Sequence, residues 1–428
     1  MAQFVSLITI IVVGYTVTMF FVGASSVVEE RVTPEDLLFV VLIPALNEEV
    51  VIGKSIRRLL SIPRNDFAVM VIDDGSTDAT SEIVSSFESD RVWLYRRDLP
   101  EAQLGKGEAL NAAYRYLRNR VIDSGRTPDS VIVVVLDADG RLDSRAFEEV
   151  APYFGDPDRA AVQIKVRIYN APDSILARLQ DIEFATFTDV FQRARSRFGS
   201  SGLGGNGQFA RLTALMAIGD SPWSNCLTED LELGIQFLLA GWKNDFCSTV
   251  AVHQQGVTSV RRLIRQRARW YQGHLQCLRL VRPILRSHLD RLPRMDLAIH
   301  LTNAVLMLAL QGMSTVFLVA TIQLFATHPS TAGHFLFDNM QWLVIYILGF
   351  GLAPLIALIY WREEPKFGFV RGVVFAHLYV LYSYMWFAAG LYGLFRSIVG
   401  RTSWAKTSRT VGTGDEPVAV GAYQPVSV

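Results

Sequence analysis

The chain has 428 residues, of which 50% are hydrophobic and 19% are charged, and its 41 basic residues balance its 41 acidic ones. With a mean hydropathy of +0.25, this composition excludes a disordered chain and a nucleic-acid-binding protein with a globally basic surface. It also argues against an entirely water-soluble enzyme. Three cysteines, at 226, 247 and 277, are too few and too dispersed in sequence for a disulfide framework or a cysteine zinc site, which favours a reducing compartment.

The N-terminal 28 residues carry no charged side chain. Their core, 4–24, is long enough to cross about 30 Å of hydrocarbon. Small residues at 23–26 would suit cleavage of a secretory signal, but the basic region that begins such a signal is missing. We therefore predict a retained transmembrane anchor over 1–28.

Strands and helices alternate in the segment that follows. Apolar runs at 37–46, 67–72, 92–95 and 130–136 predict strands, and helical spacing predicts helices over 48–60 and 105–120. This order is typical of an α/β domain with a mostly parallel sheet covered on both faces. We place the domain at 36–258 and expect its ligand at the carboxyl ends of the strands.

A basic segment over 259–296 comes next, with ten arginines and two acidic residues. Ahead of a hydrophobic segment, such a block predicts interfacial helices that bind anionic cytoplasmic lipids. The alternative interpretation is a solvated charged helix.

Three further apolar stretches, 297–325, 341–361 and 370–395, predict a C-terminal transmembrane region over 297–396, followed by a loose tail over 397–428. Their interiors lack Lys, Arg, Asp and Glu, which argues against an ion-relay transporter. Four spans with a cytoplasmic catalytic domain would place the basic tail outside, against the positive-inside tendency. Either one segment does not span or the tail is an exception.

Acidic side chains follow two of the predicted strands. Asp137 and Asp139 come directly after the most apolar strand, and hard carboxylate ligands two residues apart suit Mg²⁺ or Mn²⁺ with phosphates completing the shell. Asp73 and Asp74 follow an earlier strand and can converge on the same ligand. The alternative is a pair of ordinary acidic turns, with capping of the next helix by Ser76 or Thr77.

Two helix starts offer further chemistry. Lys106, between two glycines, can meet a phosphate beside the helix N-terminus, or it is an exposed lysine in a flexible loop. Asp230, in the sequence Thr-Glu-Asp, can act as a general base toward a sugar hydroxyl, or Thr228 or Asp230 caps the helix that follows.

The basic segment contains the sequence QRARW. Its arginines, such as Arg269, can neutralise a leaving diphosphate, and Trp270 offers a flat apolar face to a sugar ring. The alternative is anchoring at the membrane surface by Arg and Trp. A cluster of aromatic residues over 375–392, which includes Tyr382 and Trp386, could line a polymer exit path, against the alternative of an interfacial aromatic belt.

Taken together, VIDDGSTD, DADG, TED and QRARW, in this order and framed by apolar segments, resemble glycosyltransferase family 2. The C-terminal helices are similar to its processive membrane branch, the cellulose, chitin, hyaluronan and poly-N-acetylglucosamine synthases. Two segments depart from those relatives: His253-Gln254-Gln255-Gly256, before the QRARW helix, and Gly205-Asn206-Gly207.

The resemblance implies a GT-A (Rossmann-like) fold, Mg²⁺ or Mn²⁺ as cofactor and inverting transfer from a nucleotide sugar. It implies that Asp73 contacts the nucleotide, that Asp137 and Asp139 hold the diphosphate, Asp139 through the metal, and that Asp74 and Lys106 belong to the donor site. It further implies that Asp230 is the base and that Gln266, Arg269 and Trp270 form the acceptor and diphosphate cleft.

The main hypothesis is therefore polymerisation of UDP-glucose or UDP-N-acetylglucosamine into a β-linked polysaccharide by an integral plasma-membrane enzyme with a cytoplasmic catalytic domain. The expected partners are the UDP-sugar donor, the growing glycan, membrane lipids and an accessory export subunit, with no nucleic acid. One alternative is a non-processive transferase acting on a lipid or lipid-linked acceptor. The other, a receptor or transporter with a nucleotide-sensing domain, would need neither TED nor QRARW.

Overall fold

The structure is a computed structural model that describes residues 2–24, 31–338 and 340–400. Its strands are β1 (Leu38–Ala45), β2 (Phe67–Asp73), β3 (Val92–Arg96), β4 (Val131–Val135), β5 (Arg141–Leu142), β6 (Arg159–Ile168), β7 (Gln208–Arg211) and β8 (Lys243–Gln254). Its helices are α1 (Ala2–Ala24), α2 (Ile52–Leu60), α3 (Thr80–Ser85), α4 (Lys106–Asp123), α5 (Ala146–Val150), α6 (Ile175–Glu183), α7 (Asp189–Phe198), α8 (Leu212–Ile218), α9 (Glu229–Leu239), α10 (Val260–Cys277), α11 (Val281–Arg286), α12 (Arg291–Thr327), α13 (Pro329–Gly333), α14 (Gln341–Phe350), α15 (Ala353–Glu363) and α16 (Phe369–Ile398).

The strands form one mixed sheet in the order β3-β2-β1-β4-β7-β6-β8-β5. The strands β1 to β4 are parallel, and β6 and β8 share their direction. The strand β7 is antiparallel to β4 and β6, and β5 is antiparallel to β8. The predicted mostly parallel α/β sheet is confirmed. The sequence patterns did not predict β6, β7 and β8, which build the second half of the sheet.

Strand β1 shows why the sheet is covered on both faces. Phe39, Val41 and Ile43 pack into one buried cluster with α2 and α5, whereas Val40 and Leu42 pack into another with α4. All five side chains are fully buried. Successive strand residues point to opposite faces, so a run without polar alternation needs apolar neighbours on each side.

The apolar helices only partly follow the predicted spans. Two described helices, α12 and α16, are long and apolar enough to cross a membrane, a criterion that buried helices of soluble proteins also meet. Helix α12 begins inside the basic segment and runs through the predicted boundary at 296/297. The predicted span 341–361 is divided between α14 and α15, and each half, at about 1.5 Å per residue, is too short to cross about 30 Å alone.

Helix α16 packs along α10, the helix that contains QRARW. Two glycines allow the close contact: a Cβ at Gly393 would lie 2.7 Å from the carbonyl oxygen of Ala268, and one at Gly390 would lie 3.4 Å from the Tyr271 ring. Residues of α6, α10, α15 and α16, including Leu263 and Tyr379, share one buried cluster. The apolar helices are thereby joined to the α/β domain beside the candidate site. The predicted tail falls almost entirely outside the described residues.

Candidate active site

A cavity of about 1900 Å³ lies at the carboxyl ends of β1 and β4 and extends among the apolar helices. The α/β domain lines it with Lys106, Asp137 and Asp230, and α10 lines it with Gln266, Arg269 and Trp270. With Asp74, the structure therefore brings together seven of the nine side chains that the motifs single out. Asp74 also lines the cavity, whereas Asp73 and Asp139 are buried beside it.

The turn after β4 places Asp137 and Asp139 next to a lysine. Nζ of Lys106 donates to Oδ1 of Asp137 at 2.7 Å and to the carbonyl oxygen of Gly205 at 2.6 Å. Burial alone would lower the pKa of Lys106, but the negative charges of Asp137 and Glu229 outweigh it and raise that pKa above its usual value. Lys106 is therefore a permanent cation at the end of β4.

The segments that depart from the family pattern support this turn. The backbone amide of Asp137 donates to Oδ1 of Asn206 at 3.1 Å, and Nδ2 of Asn206 donates to Oε1 of Gln254 at 3.1 Å. The backbone amide of Gln255 donates to Oδ2 of Asp139 at 3.2 Å. These residues hold the backbone of Asp137 and the carboxylate of Asp139, so the departures concern the donor side of the site as well as the acceptor side.

Asp230 lies in the first turn of α9, beside Glu229. Burial raises the pKa of Asp230, and burial together with the Asp230 charge raises the pKa of Glu229 to about 7. The positive charge of Lys106 lowers the pKa of both carboxyl groups, against the effect of burial. Thr228 makes no capping hydrogen bond through its side chain, so the predicted cap at that residue is wrong.

Gly205 separates Lys106 from Asp230. A Cβ built at Gly205 would lie 3.2 Å from Nζ of Lys106 and 3.2 Å from Oδ2 of Asp230. Any larger residue would crowd both groups, so glycine here keeps the lysine and the carboxylate against one short stretch of backbone.

The two acidic residues after β2 have different surroundings. Asp73 has no exposed surface, and its carboxylate accepts from the Ser76 amide at 2.8 Å and from Arg96 at 3.3 Å. Asp74 pairs with Arg97 at 2.6 Å. In this structure Asp73 organises the turn after β2, and its contact with a nucleotide stays a prediction.

Helix α10 presents different residues of QRARW to different neighbours. Gln266, Arg269 and Trp270 line the cavity, while Arg267 is buried and donates to Oε2 of Glu183 at 2.8 Å. One arginine of the basic segment thus forms an internal ion pair, which the charge pattern alone did not indicate.

Gly273 brings α10 against the loop that precedes Asp230. A Cβ at Gly273 would lie 2.6 Å from Cγ2 of Thr228 and 2.8 Å from its backbone nitrogen. The loop that precedes the candidate base and the QRARW helix are therefore in direct contact.

Two cysteines that are distant in sequence meet at the same contact. Sγ of Cys226 lies 3.7 Å from Sγ of Cys277, and both are free thiols. A hydrogen bond from Cys277 lowers the pKa of Cys226 to about 7. The sequence spacing did not indicate this pair, because Cys226 and Cys277 lie on separate elements.

Sequence analysis missed several residues that shape the site. Glu183 ends α6 and receives Arg267, and Glu229 stands next to the candidate base. The only local signal for Glu183 is an acidic residue within an apolar helical pattern, and its partners lie 84 and about 200 positions away.

The motifs and the fold both match known proteins. The profile of the glycosyltransferase-like family 2 matches residues 34–273, more than half of the chain and all of the motifs above. The chain belongs to glycosyltransferase family 2. Its backbone resembles a mannosyltransferase from Pyrobaculum calidifontis in complex with GDP-Man and Mn²⁺, with a TM-score of 0.60 over 91% of this chain and 98% of that one, at 17% identity. This likeness shows the GT-A-like α/β fold.

Two relatives in sequence have different products in their names. The beta-monoglucosyldiacylglycerol synthase of Nostoc sp. is 34% identical over 243 residues, 55% of this chain and 48% of that protein. The poly-beta-1,6-N-acetyl-D-glucosamine synthase of Staphylococcus epidermidis is 27% identical over 240 residues, 54% of this chain and 53% of that protein. The matches span about half the length of these relatives.

Proposed function

We propose that this protein is a membrane glycosyltransferase that transfers a hexose from a nucleoside diphosphate, with inversion, to the hydroxyl group of a lipid acceptor. The observation that carries the proposal is the lining of the cavity. It combines the charged residues Lys106, Asp137 and Asp230 with apolar side chains of α1 and α12, such as Val13 and Met307. Such a space suits a molecule with a polar head and an apolar remainder.

Similarity supports the lipid acceptor over the polymer, which reverses the order of the two hypotheses drawn from the motifs. The relative with 34% identity is named for a glucosylated diacylglycerol, and the polysaccharide synthase is less similar, at 27%. We therefore take UDP-glucose as the first donor to test and a diacylglycerol-like lipid as the acceptor class.

In the proposed reaction Asp230 removes the proton from the acceptor hydroxyl. The oxygen attacks the anomeric carbon from the face opposite the diphosphate, the bond from that carbon to the diphosphate oxygen breaks, and its electron pair leaves with the nucleoside diphosphate. Lys106 and Arg269 lie where they can stabilise the charge that grows on the leaving group. Trp270 offers its ring to a sugar or to the acceptor head. A single displacement needs no protein nucleophile.

A hard divalent cation fits the donor set at the end of β4. Asp137 and Asp139 supply carboxylate oxygens on one turn, fixed by Asn206 and by the Gln255 amide. We propose that these two residues hold Mg²⁺ or Mn²⁺, and the structural relative with Mn²⁺ supports the choice. When bound, the ion neutralises charge on the diphosphate.

The exposed helices support a location in the plasma membrane, with the catalytic domain cytoplasmic. None of the residues in the most apolar 18-residue window of α12 is buried, and Val316, Phe317 and Val319 are more than half exposed. Exposed apolar surface of this extent marks a membrane or protein interface. Arg282, Arg286 and Arg291 are exposed next to this helix, where anionic headgroups would attract them.

A donor and acceptor screen tests the proposal. The protein is purified in nanodiscs and supplied with radiolabelled UDP-glucose, UDP-N-acetylglucosamine or GDP-mannose, Mg²⁺ or Mn²⁺, and diacylglycerol, with Asp230→Asn as the control. We expect one donor to yield an organic-soluble glycolipid that the variant does not make. High-molecular-weight product would instead support the second candidate, a polysaccharide synthase with an accessory export subunit, which the Staphylococcus relative favours.

A substitution in the apolar part of the cavity separates the two candidates further. Ala304 lines the cavity on α12 together with Met307 and Leu308, and Ala304→Trp would fill space beside these apolar side chains. For a lipid acceptor we expect a higher acceptor KM with unchanged hydrolysis of the donor. Ala320→Trp, on the exposed part of the same helix, is the matched control.

A further inference from the structure

One carboxylate connects α6 with two other helices beside the acceptor cleft. Glu183, at the end of α6, accepts at Oε2 from Nη2 of Arg267 and from the hydroxyl of Tyr382, each at 2.8 Å. Its Oε1 accepts from Nε1 of Trp386 at 2.8 Å. The side chains of Glu183 and Arg267 are 10% and 2% exposed. The hydrogen bonds to Glu183 therefore lie in the protein interior, where the low dielectric constant strengthens them.

The guanidinium of Arg267 lies among aromatic rings. Its Cζ atom is 4.1 Å from the centre of the Trp270 ring, 5.1 Å from that of Trp386 and 5.6 Å from that of Phe184. Arg267 and Trp270 are three residues apart on α10, so their side chains lie on neighbouring positions of one helix face. The cation thus packs against the ring that we place in the acceptor cleft.

These contacts bear on the aromatic segment in α16. The sequence left two interpretations of Tyr382 and Trp386 open, a polymer exit path and an interfacial aromatic belt. In the structure the Tyr382 side chain is buried with its hydroxyl on Glu183, and the Trp386 indole lines the cavity while its N–H is also bound to Glu183. Both residues act as hydrogen-bond donors to a carboxylate of the catalytic domain.

We infer that Arg267 and Glu183 are positioning residues that set the Trp270 ring for the acceptor, and that Tyr382 and Trp386 tie this setting to helix α16. The inference rests on the proposed function in its assignment of Trp270 to the acceptor cleft. The network begins in the catalytic domain and ends on an apolar helix. A shift of α16 would therefore be transmitted to the acceptor cleft through the Glu183 carboxylate and the Arg267 guanidinium.

The network does not include the donor end of the site, so its loss should affect acceptor binding alone. Lys106, Asp137 and Asp139 make none of the contacts in this network. Loss of the Arg267 cation should therefore raise the acceptor KM and leave the donor KM unchanged. A general loss of structure would change both.

The kinetic experiment uses the full-length protein in nanodiscs with the donor and acceptor found in the screen. For Arg267→Met we expect the acceptor KM to rise roughly tenfold, because one desolvated cation–π contact is lost. The donor KM should stay within about twofold of the wild-type value. Arg267→Lys, which keeps the charge, should recover part of the affinity. Arg265→Met, the exposed neighbour on α10, is the matched control and should behave as wild type.

Two aromatic substitutions on α16 extend the test. Trp386→Phe and Tyr382→Phe each remove one donor to Glu183, and we expect the acceptor KM to rise about two- to threefold in each case. Tyr384→Phe removes a hydroxyl that contacts Ser314 instead, so it should leave both KM values unchanged.

A spectroscopic readout separates this inference from the proposed function. The protein is labelled with 5-fluorotryptophan, and Trp270→Phe assigns the Trp270 resonance in the ¹⁹F spectrum. We expect this resonance to shift in Arg267→Met and in Glu183→Gln, but not in Arg265→Met. This result would support the positioning role even if the lipid acceptor were wrong. An unmoved Trp270 resonance in both variants, or equal increases of donor and acceptor KM, would overturn the inference.

Discussion

Nζ of Lys106 lies 2.7 Å from Oδ1 of Asp137 and also binds the carbonyl oxygen of Gly205. One ammonium group therefore joins the acidic turn after β4 to the glycine loop that faces Asp230. In the proposed reaction this cation is in place before the donor arrives, and a donor diphosphate would compete with Asp137 for it.

The first prediction concerns the base. Asp230→Asn should lower the transfer rate by about 10³-fold, within the range for loss of a general base. The amide keeps the shape of the carboxylate but cannot take the proton. Nucleotide binding, measured by calorimetry, should stay within a factor of about two, and a variant that retains wild-type turnover would remove Asp230 from the role.

The second prediction concerns pH. Burial raises the pKa of Asp230, and that of Glu229 is raised to about 7. A base acts only when deprotonated, so kcat/KM should fall on the acidic side at a pH above the usual range of an aspartate, with Asp230 and Glu229 titrating together. Initial rates between pH 5.5 and 8.5 measure this acidic limb.

The third prediction follows from the sign of the Lys106 charge. Lys106 lowers the pKa of both carboxyl groups, so its removal in Lys106→Met should move the acidic limb to higher pH as well as weaken donor binding. Lys243→Met, an exposed lysine that pairs with Asp156 and Asp158, should leave the profile in place. A limb that moves to lower pH in Lys106→Met would contradict the assigned electrostatics.

The fourth prediction concerns the cation. Chelation with EDTA should abolish transfer, and Mn²⁺ or Mg²⁺ should restore it. Asp139→Asn should raise the metal concentration needed for half-maximal rate by at least about tenfold, because one anionic ligand becomes neutral. Asp220→Asn, which alters an exposed ion pair with Arg118, serves as the control and should not change the titration.

The fifth prediction concerns the thiols. With a pKa of about 7 and a place on the cavity wall, Cys226 should react with iodoacetamide at neutral pH. Cys277→Ala removes the hydrogen bond that lowers this pKa and should slow the reaction about tenfold at pH 7, since the thiolate fraction falls. Burial raises the pKa of Cys247, which should stay unlabelled. Mass spectrometry of the labelled peptides checks all three sites.

Local patterns were sufficient for the first half of the fold. Apolar runs with flanking turns located β1 to β4 within one or two residues. Three of these strands, β1, β2 and β4, are buried on both faces, and the half-buried edge strand β3 is still an apolar run bounded by turns. The strands β6 to β8 were not predicted, since polar residues such as Gln163 interrupt their apolar pattern, and one partner of Gln163, Asn206, lies 43 positions away.

The same distinction applies to the site. Motif residues such as Asp137 and Asp230 could be singled out because carboxylates at the start or end of an element are visible in a short window. Glu183 could not, because its function depends on Arg267 and on two aromatic residues about 200 positions later. Long-range contacts of this kind exist only after the helices have packed.

The contact at Gly273 fixes the width of the proposed acceptor cleft. Because Thr228 rests directly on α10 at this glycine, the carboxylate of Asp230 and the indole of Trp270 belong to one rigid frame. In the proposed reaction, the width between them would select acceptors by the thickness of the head group and would set no limit on the length of the apolar remainder. A residue as small as alanine at 273 would push Thr228 away from α10 and widen the cleft. In the proposed reaction, bulkier hydroxyl compounds would then enter and the usual acceptor would bind less tightly.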